Sequence, residues 1–597
     1  MEIIPVMLVF GLLRSFEATH CDKELNYHTD YAYGFDITCE GLSDATQDML
    51  KQISVDQEVV LRINNSNLTK VTSDLFSEVE QIRYLSITNS TFLLEPNEKP
   101  FTNLANLEHL TVENTRFNDL DSRVLNGLDD LKELNLVNIS LRVVKNDTFR
   151  SLKELEVLKL TNNQLDNMLG IPFCDLPVLR TLHLNGNRIV KIDKFICLEE
   201  ENESGIILNG ESIQISPGKN NFFHRAKSNT NLVELNLSHN KIKTIDAFDW
   251  TLDLKHLDLA NNRLVSISDK VFSLLGHLQR LCLKNNLLEV VHPKAFARLR
   301  RLKFIDLANN SLTSVVLENL FNLEEIDLSR NKLNSSSLKN LVNLPNLRVL
   351  SLQDNQIQNL PLNIFQNFSS LEHLDLSNNN LVLTTNSFRG LSALKTLSIR
   401  NNSLEIIPKG AFNNLSNLEV LDMSMNKLTT LEGSRLFVNL QDLQTLNMSH
   451  NLLTNFSYDL IMLLYNLEVL DISGNRLQNF QFNLISLLPS LRIINIKSNL
   501  LSCSVLSKII VFFNSKNISF TINEEFDYDR RNIGGIYCEE VASKMMGMDG
   551  EGGGMHLSVA GILFIIAVST VVVAFALYRC MLYARRRRYM FDEIELL

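Results

Sequence analysis

The amino-acid sequence predicts an α/β solenoid, in which short parallel strands stack into one continuous sheet, followed by a single transmembrane helix. Three observations predict it: a recurring leucine and asparagine motif, an uncharged apolar segment near the C-terminus, and a shorter apolar run at the N-terminus. With 597 residues, 45% of them hydrophobic, the chain can build a large core. Its formal charge of -11 argues against a nucleic-acid partner.

The motif has leucines at fixed places followed by an asparagine, and is written L-x-x-L-x-L-x-x-N-x-L. A clear copy contains Leu254, Leu257, Leu259, Asn262 and Leu264. Most steps between successive motif asparagines are 23 to 25 residues, which is the length of a leucine-rich repeat. The other motif asparagines are Asn163, Asn187, Asn240, Asn286, Asn310, Asn331, Asn355, Asn379, Asn402, Asn426, Asn451, Asn475 and Asn499.

Two regions depart from this spacing. The first repeats have other residues at the asparagine position, namely Ser66, Ser90, Thr115 and Ile139. The interval between Asn187 and Asn240 is 53 residues, about twice the usual step. A further copy is in phase there, formed by Ile206, Leu208 and Ile213 with Glu211 at the asparagine position. We therefore expect about nineteen repeats over residues 58–501.

The spacing also predicts what each repeat does in the fold. Two leucines alternate with polar residues, as a short strand with one buried face requires. We expect the strands to stack in parallel, and the asparagine side chain to bond backbone groups of the following turn. A second hydrophobic row, about ten residues after the asparagine, is expected on the opposite side: Phe149, Trp250, Phe272, Phe296, Phe365 and Phe412.

These repeats resemble those of animal extracellular leucine-rich-repeat receptors, over about three quarters of the chain, and most nearly the ectodomains of insect Toll-like transmembrane proteins. The resemblance implies a curved horseshoe with parallel strands on its concave face, closed by a cap at each end. Family caps commonly have four cysteines, whereas each cap here has two. The implied pairs are Cys21 with Cys39 in residues 20–57, and Cys503 with Cys538 in residues 502–540.

The C-terminal cap is expected to contain a short amphipathic helix within Val505 to Phe513 and an edge strand within Ile518 to Ile522. Toll-like receptors continue into a large cytoplasmic signalling domain. The tail here, residues 579–597, is too short to fold, so we expect no intracellular signalling domain.

Both ends of the chain predict passage through a membrane. Residues 1–19 have an apolar run followed by small residues, which is typical of a signal peptide; a buried strand or an anchor is the alternative. Residues 557–578 have no charge and would span about 33 Å as a helix, after a linker over residues 541–556. The arginines at 585–588 then predict a type I plasma-membrane protein with its N-terminus outside.

The remaining cysteines support two further hypotheses. Cys174 and Cys197 occupy nearly the same place in successive repeats, so we expect a disulfide between them; two buried thiols are the alternative. Cys282 is then left over, in the outward column between the two strand leucines. It is a candidate for an intermolecular disulfide or for an unpaired thiol shielded by Arg280 and Lys284, whose charges could lower its pKa.

The sequence predicts no enzyme and no cofactor, because it has no phosphate-binding loop, nucleophile elbow or metal-spaced cysteines and histidines. His256 and His373 are interpreted as surface histidines. A column of acids is expected to face solvent between the strand leucines: Asp258, Asp306, Asp327, Asp375, Asp422 and Asp471. It is either a stripe that attracts a basic partner or the ordinary residue of this position.

Fifteen glycosylation motifs of the form N-x-S/T predict a glycosylated ectodomain. Glycans at Asn236 and Asn447 would cover their own repeats, leaving an open window between about Leu254 and Leu428. The candidate sites are Asn64, Asn67, Asn89, Asn138, Asn146, Asn202, Asn236, Asn309, Asn334, Asn367, Asn401, Asn414, Asn447, Asn455 and Asn517.

The tail ends in D-E-I-E-L-L, which resembles an acidic dileucine sorting signal formed by Asp592, Leu596 and Leu597; a disordered acidic tip is the alternative. Such a signal predicts endosomal cycling, and Cys580 is a candidate for palmitoylation.

These features together predict a single-pass cell-surface glycoprotein that binds a protein ligand, in recognition or innate immunity. One alternative is a cell-adhesion or guidance protein that pairs with a second copy of itself. The other is a surface anchor for a secreted factor. Nucleic acid is not an expected partner.

Overall fold

The computed structural model describes residues 21–26, 34–52, 58–79, 81–117, 120–145, 148–168, 176–192, 231–248, 251–431, 436–479, 481–523 and 531–539. The predicted signal peptide, linker, transmembrane helix and tail lie outside these residues, as do Cys174, Cys197, Trp250 and Cys580. No helix in the described part of the chain is both long enough and apolar enough to cross a bilayer.

The chain divides into two compact units. The first comprises residues 1–332 with 340–344, and the second comprises residues 333–339 with 345–597. Strands dominate both units, and short 3-10 helices cover Gln47–Gln52, Ser337–Asn340, Tyr458–Leu460 and Phe482–Leu487.

The first unit contains a long sheet and four small flanking sheets. Its strands are β1 (Cys21–Asn26), β2 (Gly34–Glu40), β3 (Glu58–Asn64), β4 (Asn67–Val71), β5 (Ile82–Thr88), β6 (Thr91–Leu94), β7 (His109–Glu113), β8 (Arg116–Phe117), β9 (Glu133–Val137), β10 (Val157–Lys159), β11 (Thr181–His183), β12 (Lys191–Ile192), β13 (Glu234–Asn236), β14 (Thr244–Ile245), β15 (His256–Asp258), β16 (Ser266–Ile267), β17 (Arg280–Cys282), β18 (Val290–Val291), β19 (Phe304–Asp306), β20 (Leu317–Glu318), β21 (Glu325–Asp327) and β22 (Leu341–Val342).

In the long sheet β1 pairs antiparallel with β2, and all later pairings are parallel. The parallel order is β2, β3, β5, β7, β9, β10, β11, β13, β15, β17, β19 and β21. The small sheets follow the long strands along the chain and pair β4 with β6 and β8, β12 with β14, β16 with β18, and β20 with β22.

The second unit continues the same plan with strands β23 (Val349–Ser351), β24 (His373–Asp375), β25 (Thr396–Ser398), β26 (Val420–Asp422), β27 (Thr445–Asn447), β28 (Val469–Asp471), β29 (Ile493–Asn495), β30 (Ser519–Phe520), β31 (Asn532–Ile533) and β32 (Ile536–Tyr537). Strands β23 to β30 pair in parallel in chain order. Strands β31 and β32 form an antiparallel hairpin.

Each repeat buries its leucines because the middle residue of the strand points away from solvent. In β15, for example, Leu257 is buried between the half-exposed side chains of His256 and Asp258. Phenylalanines form the second row of the core, and Phe248, Phe272 and Phe296 stack with ring centroids 6.2 and 6.0 Å apart. The parallel solenoid that the motif predicts is therefore present in both units.

The motif asparagine joins successive repeats through its carboxamide. Asn262 is buried, its Nδ2 donates to the carbonyls of Leu237 and Leu259, and its Oδ1 accepts from the backbone N–H of Ile242. Because Leu237 and Ile242 belong to the preceding repeat, one side chain satisfies buried groups of two repeats.

In the first repeats, hydroxyl groups make some of the inter-repeat hydrogen bonds that the motif asparagine makes elsewhere. Ser90 Oγ accepts from the backbone N–H of Ser66 at 3.0 Å and donates to the Thr88 carbonyl at 2.7 Å. Thr115 does the same for Ser90 and Glu113. At the fourth position Ile139 has no polar side chain, and its backbone N–H donates to Asn163 of the next repeat.

The prediction of a hidden repeat between Asn187 and Asn240 is wrong. Strand β11 pairs directly with β13, and Asn240 Nδ2 donates to the Leu184 carbonyl at 2.9 Å. The residues proposed for the hidden copy, 206–213, lie outside the described part of the chain. Since β11 and β13 are neighbours, no further strand stands between them, and the described part of residues 58–501 contains eighteen repeat strands.

Both caps contain the disulfide that the family resemblance implies. Cys21 and Cys39 lie opposite each other on β1 and β2, and their sulfur atoms are bonded. At the other end, helix α1 (Cys503–Ser515) buries Leu506, Ile509, Ile510 and Phe513. The bond between Cys503 and Cys538 ties the start of α1 to the segment after β32.

Candidate ligand-binding face

The candidate site is the row of side chains that point away from the leucine core on the parallel strands. We call it the strand face, and it has two columns in each unit. The first column precedes the buried central residue of each strand, and in the first unit includes His109, Glu133, Val157, Thr181, Glu234, His256, Arg280, Phe304 and Glu325. The second column follows it, and includes Thr111, Asn135, Lys159, His183, Asn236, Asp258, Cys282, Asp306 and Asp327.

The predicted acidic column lies in the second column, but its side chains are less exposed than the alternation pattern suggested. Asp306, Asp327 and Asp471 are buried, with 9%, 5% and 7% of their surface exposed. The aspartates are also held by a turn bond, in which Oδ1 accepts a hydrogen bond from the backbone N–H two residues later. Every member of the column makes it, at 2.9 to 3.0 Å: Asp258, Asp306, Asp327, Asp375, Asp422 and Asp471.

Asparagine can replace aspartate in this role. Asn236 accepts from the Ser238 N–H at 3.0 Å, and Asn447 accepts from the Ser449 N–H at 3.0 Å. Burial raises the pKa of Asp258 and of Asp422, although their turn bonds oppose that shift. These aspartates and asparagines therefore shape the turns that follow their strands, and their side chains are partly used by the fold itself.

Cys282 occupies the second column between Asp258 and Asp306 on the neighbouring strands. It is unpaired and half-buried. Burial, together with the carboxylates of Asp258 and Asp306, raises the pKa of its thiol well above the usual value. Lys284 lowers this pKa, as expected, but burial and the two carboxylates outweigh it, and Arg280 is not among the causes. The thiolate that attacks a disulfide is therefore scarce at neutral pH. An intermolecular bond through Cys282 remains a prediction that this geometry does not favour.

Polar groups concentrate on the strand face of β7 to β13. Glu133 accepts hydrogen bonds from Lys159 Nζ at 2.7 Å and Asn135 Nδ2 at 3.0 Å, and lies 3.2 Å from His109 Nδ1. The bond with His109, then those with Lys159 and Asn135, lower the pKa of Glu133 to about 2 despite its burial. Glu133 is thus a fixed negative charge at every physiological pH.

Histidines are part of this face to a greater extent than the sequence indicated. His256 and His373 are half-buried rather than surface residues, and burial lowers the pKa of both. His109 and His183 were missed. His183 is buried, and its Nε2 lies 2.9 Å from Glu234 Oε1. Both histidines are in register with the strand leucines, which was the available signal. His109 lies in a repeat with a degenerate motif, and His183 lies in the repeat that precedes the wide interval.

The two units differ in the character of their first column. Glu234, His256, Arg280 and Glu325 make that of the first unit polar, and the Arg280 guanidinium lies 4.4 Å from the centre of the Phe304 ring. The first column of the second unit is mainly neutral and β-branched: Val349, His373, Thr396, Val420, Thr445, Val469 and Ile493. Among the described strands, it is the first column of the first unit that combines charged side chains with the phenyl ring of Phe304.

A second row of hydrogen-bonded asparagines, adjacent in sequence to the motif asparagines, was also missed. At its positions the backbone has positive φ, which asparagine tolerates better than most residues. Asn285 Nδ2 donates to Asn261 Oδ1, and Asn309 Nδ2 donates to Asn285 Oδ1, both at 2.8 Å. The paired asparagines N-N in the motif were the available signal, since the first of each pair forms this ladder.

Most predicted glycosylation sites that the structure describes are on the surface. Asn64, Asn236 and Asn447 are half-buried, and Asn146 and Asn202 lie outside the described residues. The exposed sites are Asn67, Asn89, Asn138, Asn309, Asn334, Asn367, Asn401, Asn414, Asn455 and Asn517. Within the described ranges, no group of three or more His, Cys, Asp or Glu side chains is placed to hold a metal ion.

Comparisons with known proteins agree with this architecture. A family model described as a leucine rich repeat matches residues 129–189, 253–312, 345–404 and 392–453, and a second model with that description matches residues 322–344. No curated protein matches the chain.

Solved structures with the same fold come from distant organisms. The Leptospira interrogans LRR protein LIC12759 is 24% identical, with a TM-score of 0.54 over 74% of this chain and 96% of that chain. The plant peptide hormone receptor RGFR1, solved in complex with RGF2, is 21% identical, with a TM-score of 0.50 over 78% of this chain and 76% of that chain. At these identities the similarity establishes the fold and no more.

Proposed function

We propose that this leucine-rich-repeat solenoid is the ectodomain of a single-pass cell-surface glycoprotein, and that it binds a protein ligand in recognition. The scaffold suits this role because leucine-rich repeats present long open surfaces to partners, and we assign it no catalysis. The apolar segment 557–578, the exposed glycosylation motifs and the two disulfides support the extracellular placement.

One observation supports the first unit as the binding region. In its first column, Glu234, His256, Arg280, Phe304 and Glu325 are half-exposed on consecutive strands, where parallel pairing spaces neighbours by about 5 Å. Charged groups of both signs beside an aromatic ring are typical of protein interfaces, in which arginine and aromatic residues contribute most of the affinity. The partner of RGFR1 is named as RGF2, which is consistent with a polypeptide ligand on this fold.

The experiment compares two variants of one repeat. Arg280 lies on the strand face, whereas Lys270, ten residues earlier, is exposed elsewhere on the same coil. Full-length protein on cultured cells is cross-linked to bound proteins, which are then identified by mass spectrometry. Arg280→Ala should reduce capture of the ligand about tenfold or more, while Lys270→Ala should not.

The result also separates the alternatives. Recovery of the same chain as the captured protein, with aggregation of expressing cells, would replace the receptor proposal by adhesion. Equal loss of capture in both variants, or in neither, would show that the strand face of the first unit is not the ligand site.

A further inference from the structure

A strongly basic segment lies in the first unit, away from the strand face. Between Glu289 and Asp306 the chain has five cations and no acid, although the whole chain is acidic. We call the segment 292–303 the basic turn; its cations are Lys294, Arg298, Arg300, Arg301 and Lys303. All five are exposed.

The local fold explains why the cations point outward together. Ala295, Phe296, Leu299 and Leu302 are buried, and the residues between them are left on the surface. A series of tight turns fixes the backbone: the N–H of Ala297, Leu299 and Leu302 donates to the carbonyl three residues earlier. The positions of the cations are therefore set by the core, which reduces the ordering cost of binding a ligand.

Few acids neutralise this charge. Lys303 Nζ lies 3.3 Å from Glu324, but in the described part of the chain the side chains of Lys294, Arg298, Arg300 and Arg301 have no carboxylate partner. This differs from other repeats, where one acid such as Glu372 pairs with both Arg348 and Lys395. Cations so close together repel one another, and an external anion would relieve that repulsion.

The neighbouring repeats leave the positive charge in excess. The preceding coil has Asp269 and Lys270, whose charges cancel, and the following coil has Glu318. Beside the basic turn, Asn322 Nδ2 donates to the Arg300 carbonyl at 2.7 Å, and Phe321 is 53% exposed. No glycosylation motif occurs between Asn236 and Asn309, so no predicted glycan shares this segment.

We propose that the basic turn binds a sulfated polysaccharide. Three arginines within four residues can each present a planar pair of N–H donors, which matches sulfate oxygens as it matches phosphate oxygens. A narrow row of cations along one coil suits an extended anionic chain. The choice of a sulfated glycan rests on the proposed extracellular function, since that compartment contains such polymers and the disulfides and glycosylation motifs point to it.

This site is separate from the strand face. The basic turn precedes β19, and its last residue Lys303 donates through its backbone N–H to the Gln279 carbonyl as the strand begins. A polysaccharide on the basic turn would therefore leave the first-column residues Arg280 and Phe304 for the protein ligand. The two activities can be removed independently.

The test measures binding of the purified full-length chain, in non-ionic detergent, to immobilised heparin at several NaCl concentrations. The variant is Arg300→Gln with Arg301→Gln. The matched control is Arg389→Gln with Lys409→Gln, which removes two exposed cations from the second unit. The variant should bind about tenfold more weakly at physiological salt, because two charged contacts are lost. The slope of log affinity against log salt should fall by about 1 to 2.

The proposal would be overturned if the variant and the wild type bound heparin equally, or if the control lost as much binding as the variant. It would also be overturned if the wild type bound polyglutamate, which has no sulfate, as tightly as heparin. Stronger binding to phosphatidylserine vesicles or to single-stranded DNA would assign the basic turn to a membrane or a nucleic acid instead. Arg280→Ala serves as a second comparison. It should retain heparin binding whether or not the protein-ligand proposal holds.

Discussion

At the residue scale, the chemistry of the strand face is decided by which groups each side chain meets on the neighbouring strands. Glu133 is the clearest case. Its carboxylate is bonded by groups from β7 and β10 as well as from its own strand, and only 24% of the side chain is exposed. Interactions that favour the charged form outweigh burial, so the pKa of Glu133 falls from 4.5 to about 2.

This shift predicts a pH-dependent contribution to stability. Because the folded pKa lies below the unfolded one, the contribution is full above about pH 4.5 and is lost as the pH falls toward 2. Glu133→Gln should therefore destabilise the protein by about 2 to 3 kcal/mol at pH 7. Thermal unfolding of both proteins at pH 7, 4 and 3 measures the difference, which should shrink at each step.

Glu156→Gln is the matched control for that series. Glu156 is 47% exposed and lies 3.7 Å from Arg180, so its removal should cost less than about 1 kcal/mol at any of these pH values. A Glu133→Gln effect that stays constant from pH 7 to pH 3 would contradict the electrostatic explanation.

At the element scale, the asparagine ladder joins each turn to the next. The structure shows two chemical versions of it, a carboxamide version in most repeats and a hydroxyl version at Ser66, Ser90 and Thr115. The carboxamide donates and accepts more bonds. For Asn262 these reach Leu237, Leu259, Ala260 and Ile242, whereas Ser90 bonds only Ser66 and Thr88 through its hydroxyl.

The comparison predicts a graded response at Asn262. Asn262→Ala leaves the Ile242 N–H buried without a partner, and should cost about 1 to 3 kcal/mol. The carbonyls of Leu237 and Leu259 each lose one of two donors, since Asn240 and Asn286 still bond them. Asn262→Ser keeps one acceptor and one donor, and should cost less. Hydrogen exchange at the Ile242 amide is the measurement, with exchange fastest in the alanine variant.

The amide of Leu288, which bonds Asn310 of another repeat, is the internal control. Equal exchange rates at Ile242 in the two variants would mean that the hydroxyl does not substitute for the carboxamide in this repeat.

At the scale of the whole molecule, the repeats form an uninterrupted ladder in the first unit in spite of the wide interval after Asn187. Strands β11 and β13 pair, and so do β12 and β14. The Ile189 N–H donates to Asn240 Oδ1 at 3.0 Å, as Ile242 and Leu264 donate to the asparagines of their following repeats. The intervening segment is therefore an insertion between consecutive repeats.

An insertion can be shortened without loss of a repeat. Deleting residues 200–228 would reduce the spacing between Asn187 and Asn240 from 53 residues to 24, the ordinary period. We expect this protein to reach the cell surface at a level within about twofold of wild type, because the core and ladder contacts stay unchanged. Quantitative surface labelling of full-length protein is the measurement.

A deletion of equal length inside the repeats, residues 262–290, is the comparison, since it removes a coil out of register. Loss of surface protein in the 200–228 deletion equal to that of the 262–290 deletion would show that the segment is required for folding.

Periodicity alone was enough to predict the solenoid, since burial of the leucines repeats along the described chain and bonding by the asparagines repeats in most coils. It was not enough to reject the copy at Ile206, Leu208 and Ile213, because a repeat is defined by strands that pair on both sides, and that contact is not local in sequence. The same limit applies to the strand face. Alternation correctly places Asp306 outside the leucine core, but it describes neither the burial of that side chain nor its turn bond with the Ala308 N–H.

The turn bonds of the second column also determine where this scaffold can change without losing its fold. Some positions require a side chain that accepts a hydrogen bond from the backbone N–H two residues later. In this protein those positions are aspartate or asparagine. The first column and the remaining second-column positions, such as Lys159, His183 and Cys282, have a wider range of residues. A library that aims to give this protein a new ligand should therefore randomise the first column, at positions such as His256, Arg280 and Phe304, and keep the turn-bonding aspartates and asparagines of the second column. Diversity in the first column would alter recognition, whereas the same diversity at the turn-bonding positions would mostly yield proteins that fold poorly.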